Sequence, residues 1–317
     1  VTRRLLQAVA VIWAAFTLSF VILYLLPGDA ALNRLGAAEG GITATPAEVA
    51  AVRAEYGLDD PLVVQYGKRL WAATHGDFGK SVMTGDDATG LVFDALPSTL
   101  EIAAAGLVLA VLFGGGLAVL GTYTRHRWLG NLLLSLPPLG VSLPQFWVGL
   151  VLIQIFSFQL RLLPALGTDG FAALILPGIT IGLPTGAIIG QVLAKSLRTQ
   201  LAEPYVEIVL AKGASRARVH FGHALRNAAL PALTLVGVVA GNLLAGTVVT
   251  ETLFSRDGIG RLTAFAVNSQ DIPVVQAVIV LSAFFFVTIN LVVDLIYPLL
   301  DPRLAGRVTR KAVAAGA

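Results

Sequence analysis

The stretch Leu5–Leu26, LLQAVAVIWAAFTLSFVILYLL, runs 22 residues without a charge. A helix rises about 1.5 Å per residue, so this run crosses the roughly 30 Å hydrocarbon layer of a bilayer. Arg3 and Arg4 precede it as they would precede a signal peptide. However, the apolar run exceeds the length of such a peptide's core, and no small-residue cleavage site closes it. It reads as a membrane anchor that stays.

Five more stretches follow: Leu100–Leu120, Leu132–Phe156, Phe171–Ala194, Pro231–Thr250 and Gln276–Leu300. Glu101 heads the first of these, and Asp294 interrupts the last. Composition agrees, with 56% hydrophobic and 13% charged residues in 317 and a mean hydropathy of +0.79. Soluble domains carry about twice that charge fraction. The expected fold is an all-α, polytopic membrane protein with six transmembrane helices. There is no Cys, so disulfides, thiolate nucleophiles and Cys-ligated metals are excluded. The sequence pI near 9.3 calls for no nucleic acid, because basic cytoplasmic loops produce it.

Six spans place both termini on one side. With the termini inside, 14 of the 22 Lys and Arg are cytoplasmic, together with three acids, Glu203, Glu207 and Asp301. That bias orients the chain with both termini in the cytoplasm. The segments are then a first helix (1–26), an extracytoplasmic segment (27–97), a five-helix core (98–300) and a cytoplasmic tail (301–317). The core includes a cytoplasmic loop over 195–230.

In the extracytoplasmic segment, Thr45-Pro46-Ala47-Glu48 is a capping box whose helix Gly57 would stop. A second short helix is expected from Asp60-Pro61 to near Gly76, with Leu62, Tyr66 and Leu70 on one face. Ser98-x-x-Glu101 reads as a further capping box opening the second span, which makes Glu101 an interfacial cap.

Small residues recur every four positions. They are Gly106, Ala110, Gly114 and Ala118; Gly178, Gly182, Gly186 and Gly190; and Gly237, Gly241 and Ala245. Such stripes let helices approach closely, within the chain or at a seam with another subunit. Pro137, Pro138 and Pro144 in the third span, and Pro177 and Pro184 in the fourth, interrupt backbone hydrogen bonding. Irregular backbone at membrane depth persists beside protein or a water-filled cavity, so these spans are candidate walls of a path.

Gly79-Lys80-Ser81 has the ending of a phosphate-binding loop, but position 74, where that pattern needs Gly, is Thr. His220 and His223 lack a third ligand and read as surface histidines beside Arg226. Asp294 lies three residues before Tyr297-Pro298 and reads as a partner for a cytoplasmic Arg rather than a proton relay. No catalytic constellation is present, so an enzyme is not expected.

The cytoplasmic stretch EPYVEIVLAKGASRARVHFGHALRNAALP spans Glu203–Pro231. Pro204 suits a first helical position, Gly213 a stop, and Ser215 the cap of a second helix toward Asn227. Tyr205, Val206, Ile208, Val209 and Leu210 would expose an apolar surface, and spacing leaves a protein partner and lipid headgroups as alternatives.

This stretch resembles the EAA loop of ABC-importer permeases, with Glu207 on its Glu and Gly213 on its Gly. His223-Ala224-Leu225-Arg226-Asn227 resembles the dipeptide/oligopeptide branch, first-permease (B) type. LLPGDA (Leu25–Ala30), GDFGKS (Gly76–Ser81), LPSTLEIA (Leu96–Ala103) and SLPQFWVGL (Ser142–Leu150) agree, as do ETLFSRDGIGRL (Glu251–Leu262), DIPVVQ (Asp271–Gln276) and NLVVDLIYPLLDPR (Asn290–Arg303). Relatives read like Y-V-R-T-A-R-A-K-G where this chain has Glu207 and Leu210 in place of the two Arg.

The resemblance implies an ABC-importer permease in the inner membrane of a bacterium, passing dipeptides or oligopeptides. Nickel chelates or haem carried by the same machinery are the alternative, and an ion-coupled secondary transporter is the rival class. The partners implied are a paralogous second permease, two cytoplasmic ATPases holding ATP and Mg²⁺, an extracytoplasmic binding protein and membrane lipid. No cofactor is expected on this chain. ATPase coupling falls on Glu203, Tyr205, Val206, Glu207, Ala211, Lys212, Gly213, Ala214, His223, Arg226 and Asn227. The path falls on Ser142, Pro144, Gln145, Trp147, Pro184 and Asn242. An outer gate or binding-protein contact falls on Glu251, Arg256, Asp257, Gly258, Gly260 and Arg261.

Overall fold

The structure, a computed structural model, describes residues 2–25, 45, 47, 60–168 and 170–300. Outside the described residues lie most of the Thr45–Glu48 box, Gly57, most of LLPGDA and the tail. The side chains of Ala245 and Asp294 lie outside them too.

Among the described residues the chain is helical, with one isolated bridge between Lys80 and Asp87. The helices are α1 (Thr2–Leu25), α2 (Leu62–Thr74), α3 (Ala88–Tyr123), α4 (Arg127–Ser142) and α5 (Gln145–Leu152). They continue with α6 (Ala172–Leu201), α7 (Pro204–Ala211), α8 (Leu225–Leu253), α9 (Ile259–Asn268) and α10 (Ile272–Leu300). By length and composition, four helical stretches among the described residues suit membrane crossing, or five if the bent α4–α5 pair counts as one. The shorter apolar stretch Ile272–Thr288 begins α10.

The chain divides into two compact units, Val1–Thr99 with Asp257–Thr288 and Leu100–Arg256 with Ile289–Ala317. In the first, α2 meets α1 through aromatic edges: the Tyr66 ring lies 5.7 Å from Phe16 and 5.3 Å from Phe20. The Tyr66 hydroxyl shares a 2.9 Å hydrogen bond with Thr17. Ala88, Val92, Ala266, Val274 and Val278 form its apolar core. Buried Asp271 pins the Gly76–Asp87 turn, accepting from the Ser81 hydroxyl and, at 3.1 Å, from Val82 N–H. Two separately quoted motifs, GDFGKS and DIPVVQ, are thus one structural joint.

In the second unit the first two small-residue stripes face each other. A Cβ added at Gly182 would sit 2.6 Å from Gly106 O, and one at Gly186 2.7 Å from Ala110 O. These stripes serve packing within the chain.

Three boundaries differ from expectation. First, α3 begins at Ala88 and passes through Pro97, so Ser98 does not cap it. The opening residue is Asp87, whose carboxylate accepts Gly90 N–H at 2.7 Å. Pro97 costs one internal hydrogen bond, which a 36-residue helix tolerates. Second, the third span bends by 107° between Ser142 and Gln145. The break falls before Pro144, whose ring excludes helical backbone at Leu143, and Leu143 is extended. Third, no break precedes the fifth span: α8 runs through Pro231, and a π-helical turn, Arg218–Ala224, feeds directly into it.

Candidate functional site

The loop after α6 is built from backbone chemistry. Glu203 is extended (ψ 143°) and Pro204 opens α7, because Pro needs no N–H in a first turn. At the other end, Gly213 takes φ +84°. Its N–H donates to Leu210 O at 2.9 Å, and Ala214 N–H donates to Val209 O at 3.2 Å. This pair is the Schellman closure, and the left-handed residue within it favours glycine. Ser215 then caps the next turn, its hydroxyl accepting Arg218 N–H at 3.3 Å.

The apolar residues of α7 divide between two faces. Val206 is buried, Tyr205 and Val209 are half-buried, and Ile208 and Leu210 are exposed by 57% and 46%. The exposed surface is therefore smaller than expected, because successive helical residues turn by about 100° and one face packs inward. Glu203, Glu207, Ala211, Lys212 and Gly213 are exposed beside Ile208, as are His223, Arg226 and Asn227 further on; Ala214 is half-buried.

The loop is tied to the end of α3. Arg216 donates to Tyr123 O at 2.6 Å and lies over the Tyr123 ring, 5.5 Å from its centre. His220 is not a surface residue. It is buried, pairs through Nε2 with the Thr122 hydroxyl at 3.0 Å, and meets Tyr123 edge-on at 5.2 Å. The aromatic cluster at the end of α3 covers it, which no spacing rule anticipates.

At the α4–α5 break, Gln145 reaches α8, donating to the Thr250 hydroxyl at 2.7 Å and to Gly246 O at 3.3 Å. Pro144 caps α5, the Ser142 hydroxyl returns to Pro138 O at 3.0 Å, and Trp147 and Asn242 are exposed. Pro184 is half-buried within α6. Of the expected path residues, Gln145 is hydrogen-bonded to another helix, the α8 that also carries Asn242.

Following α8, Arg256 is fully buried and pairs with Glu101 Oε2 at 2.9 Å. Its other amine donates to Gly167 O and Ala173 O at 3.3 and 3.4 Å. Glu101 is therefore an ion-pair partner rather than a cap. Glu251 is buried on α8. In the first unit, Gly258 stands at the N-cap of α9 without a side-chain cap. The Thr99 hydroxyl supplies one instead, accepting Ile259 N–H at 2.8 Å. Asp257 and Arg261 form an exposed pair at 2.7 Å, and Gly260 is buried. Among the described residues no three His, Asp or Glu converge as metal ligands.

Two family models cover this chain. Residues 106–306 match the binding-protein-dependent transport system inner membrane component, and residues 1–103 match the N-terminal part of such a membrane component. The chain belongs to this family of ABC-importer permeases. The permease is 36% identical over 312 residues to the probable peptide ABC transporter permease protein y4tP of Sinorhizobium fredii, covering 96% of this chain and 98% of that one. It is 35% identical over 304 residues to the glutathione transport system permease protein GsiC of Escherichia coli K12, with the same coverage. An inward-facing structure of the MetNI methionine ABC transporter shares its fold with a TM-score of 0.52 at 16% identity. That likeness covers 66% of the permease and 96% of the MetNI chain. The family works with binding-protein and ATPase components in a membrane.

Proposed function

We propose that this permease is one half of the channel of an ATP-driven importer for short peptides, including glutathione-like ones. The observation that carries the reading is α7: a rigidly closed short helix presenting Ile208 and Leu210 beside Glu207 and Lys212. Exposed apolar side chains on a capped helix outside the spans suit a protein groove. The groove belongs to an ATPase on which ATP and Mg²⁺ reside, while this chain carries no cofactor and does no chemistry. Arg216 and His220 fasten the same segment to α3, so movement of α7 is passed into the membrane helices. Coupling of ATP closure to channel access through such an element is allostery between two sites.

In this reading both termini are cytoplasmic, a paralogous second permease completes the channel and two ATPases dock below it. A binding protein delivers substrate from the other side, and lipid surrounds the core. Coupling involves Glu203–Ala214 with His223, Arg226 and Asn227. Ser142, Pro144, Gln145, Trp147, Pro184 and Asn242 line the path. Glu251, Arg256, Asp257, Gly258, Gly260 and Arg261 form the outer contact. The peptide assignment is supported by the peptide and glutathione relatives. The test is uptake into vesicles reconstituted with both permeases, both ATPases and the binding protein. Labelled di- and tripeptides and glutathione should accumulate only with internal ATP and without any ion gradient. Accumulation driven by an ion gradient alone would overturn the mechanism.

A further inference from the structure

The short helix α2 carries polar side chains inward and apolar ones outward. Its inner face holds Gln65, 4% exposed, with half-buried Tyr66 and Arg69. Val63, Val64, Gly67 and Trp71 are all exposed, Val63 by 82% and Trp71 by 71%. At 3.6 residues per turn these four fall within about 100° of arc, one continuous side of the helix. A helix standing in water shows the opposite arrangement.

The polar groups beside this arc are closed among themselves. Lys68 pairs with the Asp60 carboxylate at 2.7 Å, and Gln65 Nε2 donates to Asp60 O at 2.7 Å. The Thr74 hydroxyl turns back to Trp71 O at 2.6 Å. Internal pairing suits a boundary where water does not serve polar groups.

The level at which α2 meets α1 decides what covers the arc. Tyr66 touches Phe16, Thr17 and Phe20, all within the candidate span Leu6–Leu23. Phe16 and Phe20 precede Leu23 by seven and three residues, about 10 and 5 Å along the axis. At the same level α1 exposes Leu18, Val21 and Ile22, so lipid is already the solvent there. A water-soluble partner would have to reach below the membrane boundary to cover α2. We infer that α2 is an interfacial helix immersed in the leaflet at the C-terminal end of α1, with Val63, Val64, Gly67 and Trp71 on lipid acyl chains. The indole of Trp71 suits that boundary. Because α2 leads into the turn that Asp271 pins, the bilayer sets the height at which this turn is presented. The inference rests on α1 as a span and is independent of the ATP-driven mechanism.

The experiment uses the full complex in phosphatidylcholine liposomes, with Cys removed from the partner subunits. Val63→Cys and Gly67→Cys carry a bimane fluorophore, with Leu18→Cys and Asp86→Cys as lipid and water references. Nothing lies within 4 Å of a Cβ added at Gly67, so this site keeps the test open if Val63→Cys assembles poorly. Quenchers are phosphatidylcholine with a nitroxide near the headgroup, the same lipid with one near the chain end, and aqueous iodide. An interfacial helix sits about 5–10 Å into the boundary. Both α2 sites should therefore be quenched most by the nitroxide near the headgroup, and several-fold less by iodide than Asp86→Cys. ATP-driven peptide uptake by the same liposomes reports the proposed function separately. Iodide quenching of the α2 sites equal to that of Asp86→Cys overturns the inference alone when Leu18→Cys stays lipid-quenched. If iodide reaches Leu18→Cys as well, α1 is no span and the inference falls with it. Shielding of both α2 sites from all three quenchers would mark a protein partner, and overturns it too.

Discussion

Replacing Gly114 by Ala inserts one methyl group where two helix backbones touch. The added Cβ would lie 2.7 Å from the carbonyl carbon of Gly186, closer still to its oxygen, and 3.0 Å from Gly190 N. Carbon atoms rest about 3.5–4.0 Å apart, so α3 and α6 must separate locally by roughly 1 Å. The obstacle is backbone, which has no rotamer to yield. A gap of that size forfeits about a quarter to a half of each affected dispersion contact, and overpacking costs about 1–3 kcal/mol. The upper end is expected, about 3 kcal/mol. Gly115 and Gly116 lie on the same helix with nothing within 4 Å of an added Cβ. Ala there gains helix propensity of up to about 1 kcal/mol, so the sign reverses within two residues. Thermal unfolding of the co-expressed complex, followed by intrinsic fluorescence, reads the contrast. Gly114→Ala should melt lower by about 5 °C or more, with Gly116→Ala unchanged or higher. A Gly114→Ala complex that melts with or above Gly116→Ala would refute the close crossing of α3 and α6.

Gly213→Val forces a β-branched residue into φ +84° at a cost of about 1–2 kcal/mol. ATPase pull-down should survive while substrate-stimulated ATP hydrolysis in nanodiscs slows several-fold. Ala211→Glu buries a charge in the proposed groove and should weaken the pull-down itself; transport at wild-type rate by both variants would refute coupling through α7. Glu101→Leu removes the carboxylate facing fully buried Arg256 and should lower stability by about 3 kcal/mol, although Glu101 is half exposed, because a buried charge loses its counter-ion. Arg256→Met should cost less, since Glu101 can turn to water; denaturation midpoints of the two variants rank them. Because the chain lacks Cys, Asp86→Cys and Ser269→Cys should label from outside intact cells, and Arg127→Cys and Ser215→Cys should not. Reversed labelling of Ser215→Cys would refute the proposed cytoplasmic docking surface.

The sequence by itself determined whatever depends on local chemistry. Long uncharged runs require a bilayer whatever they pack against, Pro204 can open α7 because it lacks an N–H, and Gly213 can close it because it lacks a Cβ. Only the tertiary structure decided which distant groups meet. Ser98-x-x-Glu101 satisfies a local capping rule, yet Asp87 opens α3 and Glu101 serves Arg256, 155 residues away. His220 reads as a surface residue until Thr122 and Tyr123 enclose it. The small-residue stripes announced close approach without naming the partner, which proved to be α3 against α6. Periodicity reports which face of a helix is apolar or small. It carries no information about which other face arrives there, because that depends on how the helices cross. Burial and pairing arise from that crossing, and they make Arg256, Glu101 and His220 parts of one packed unit.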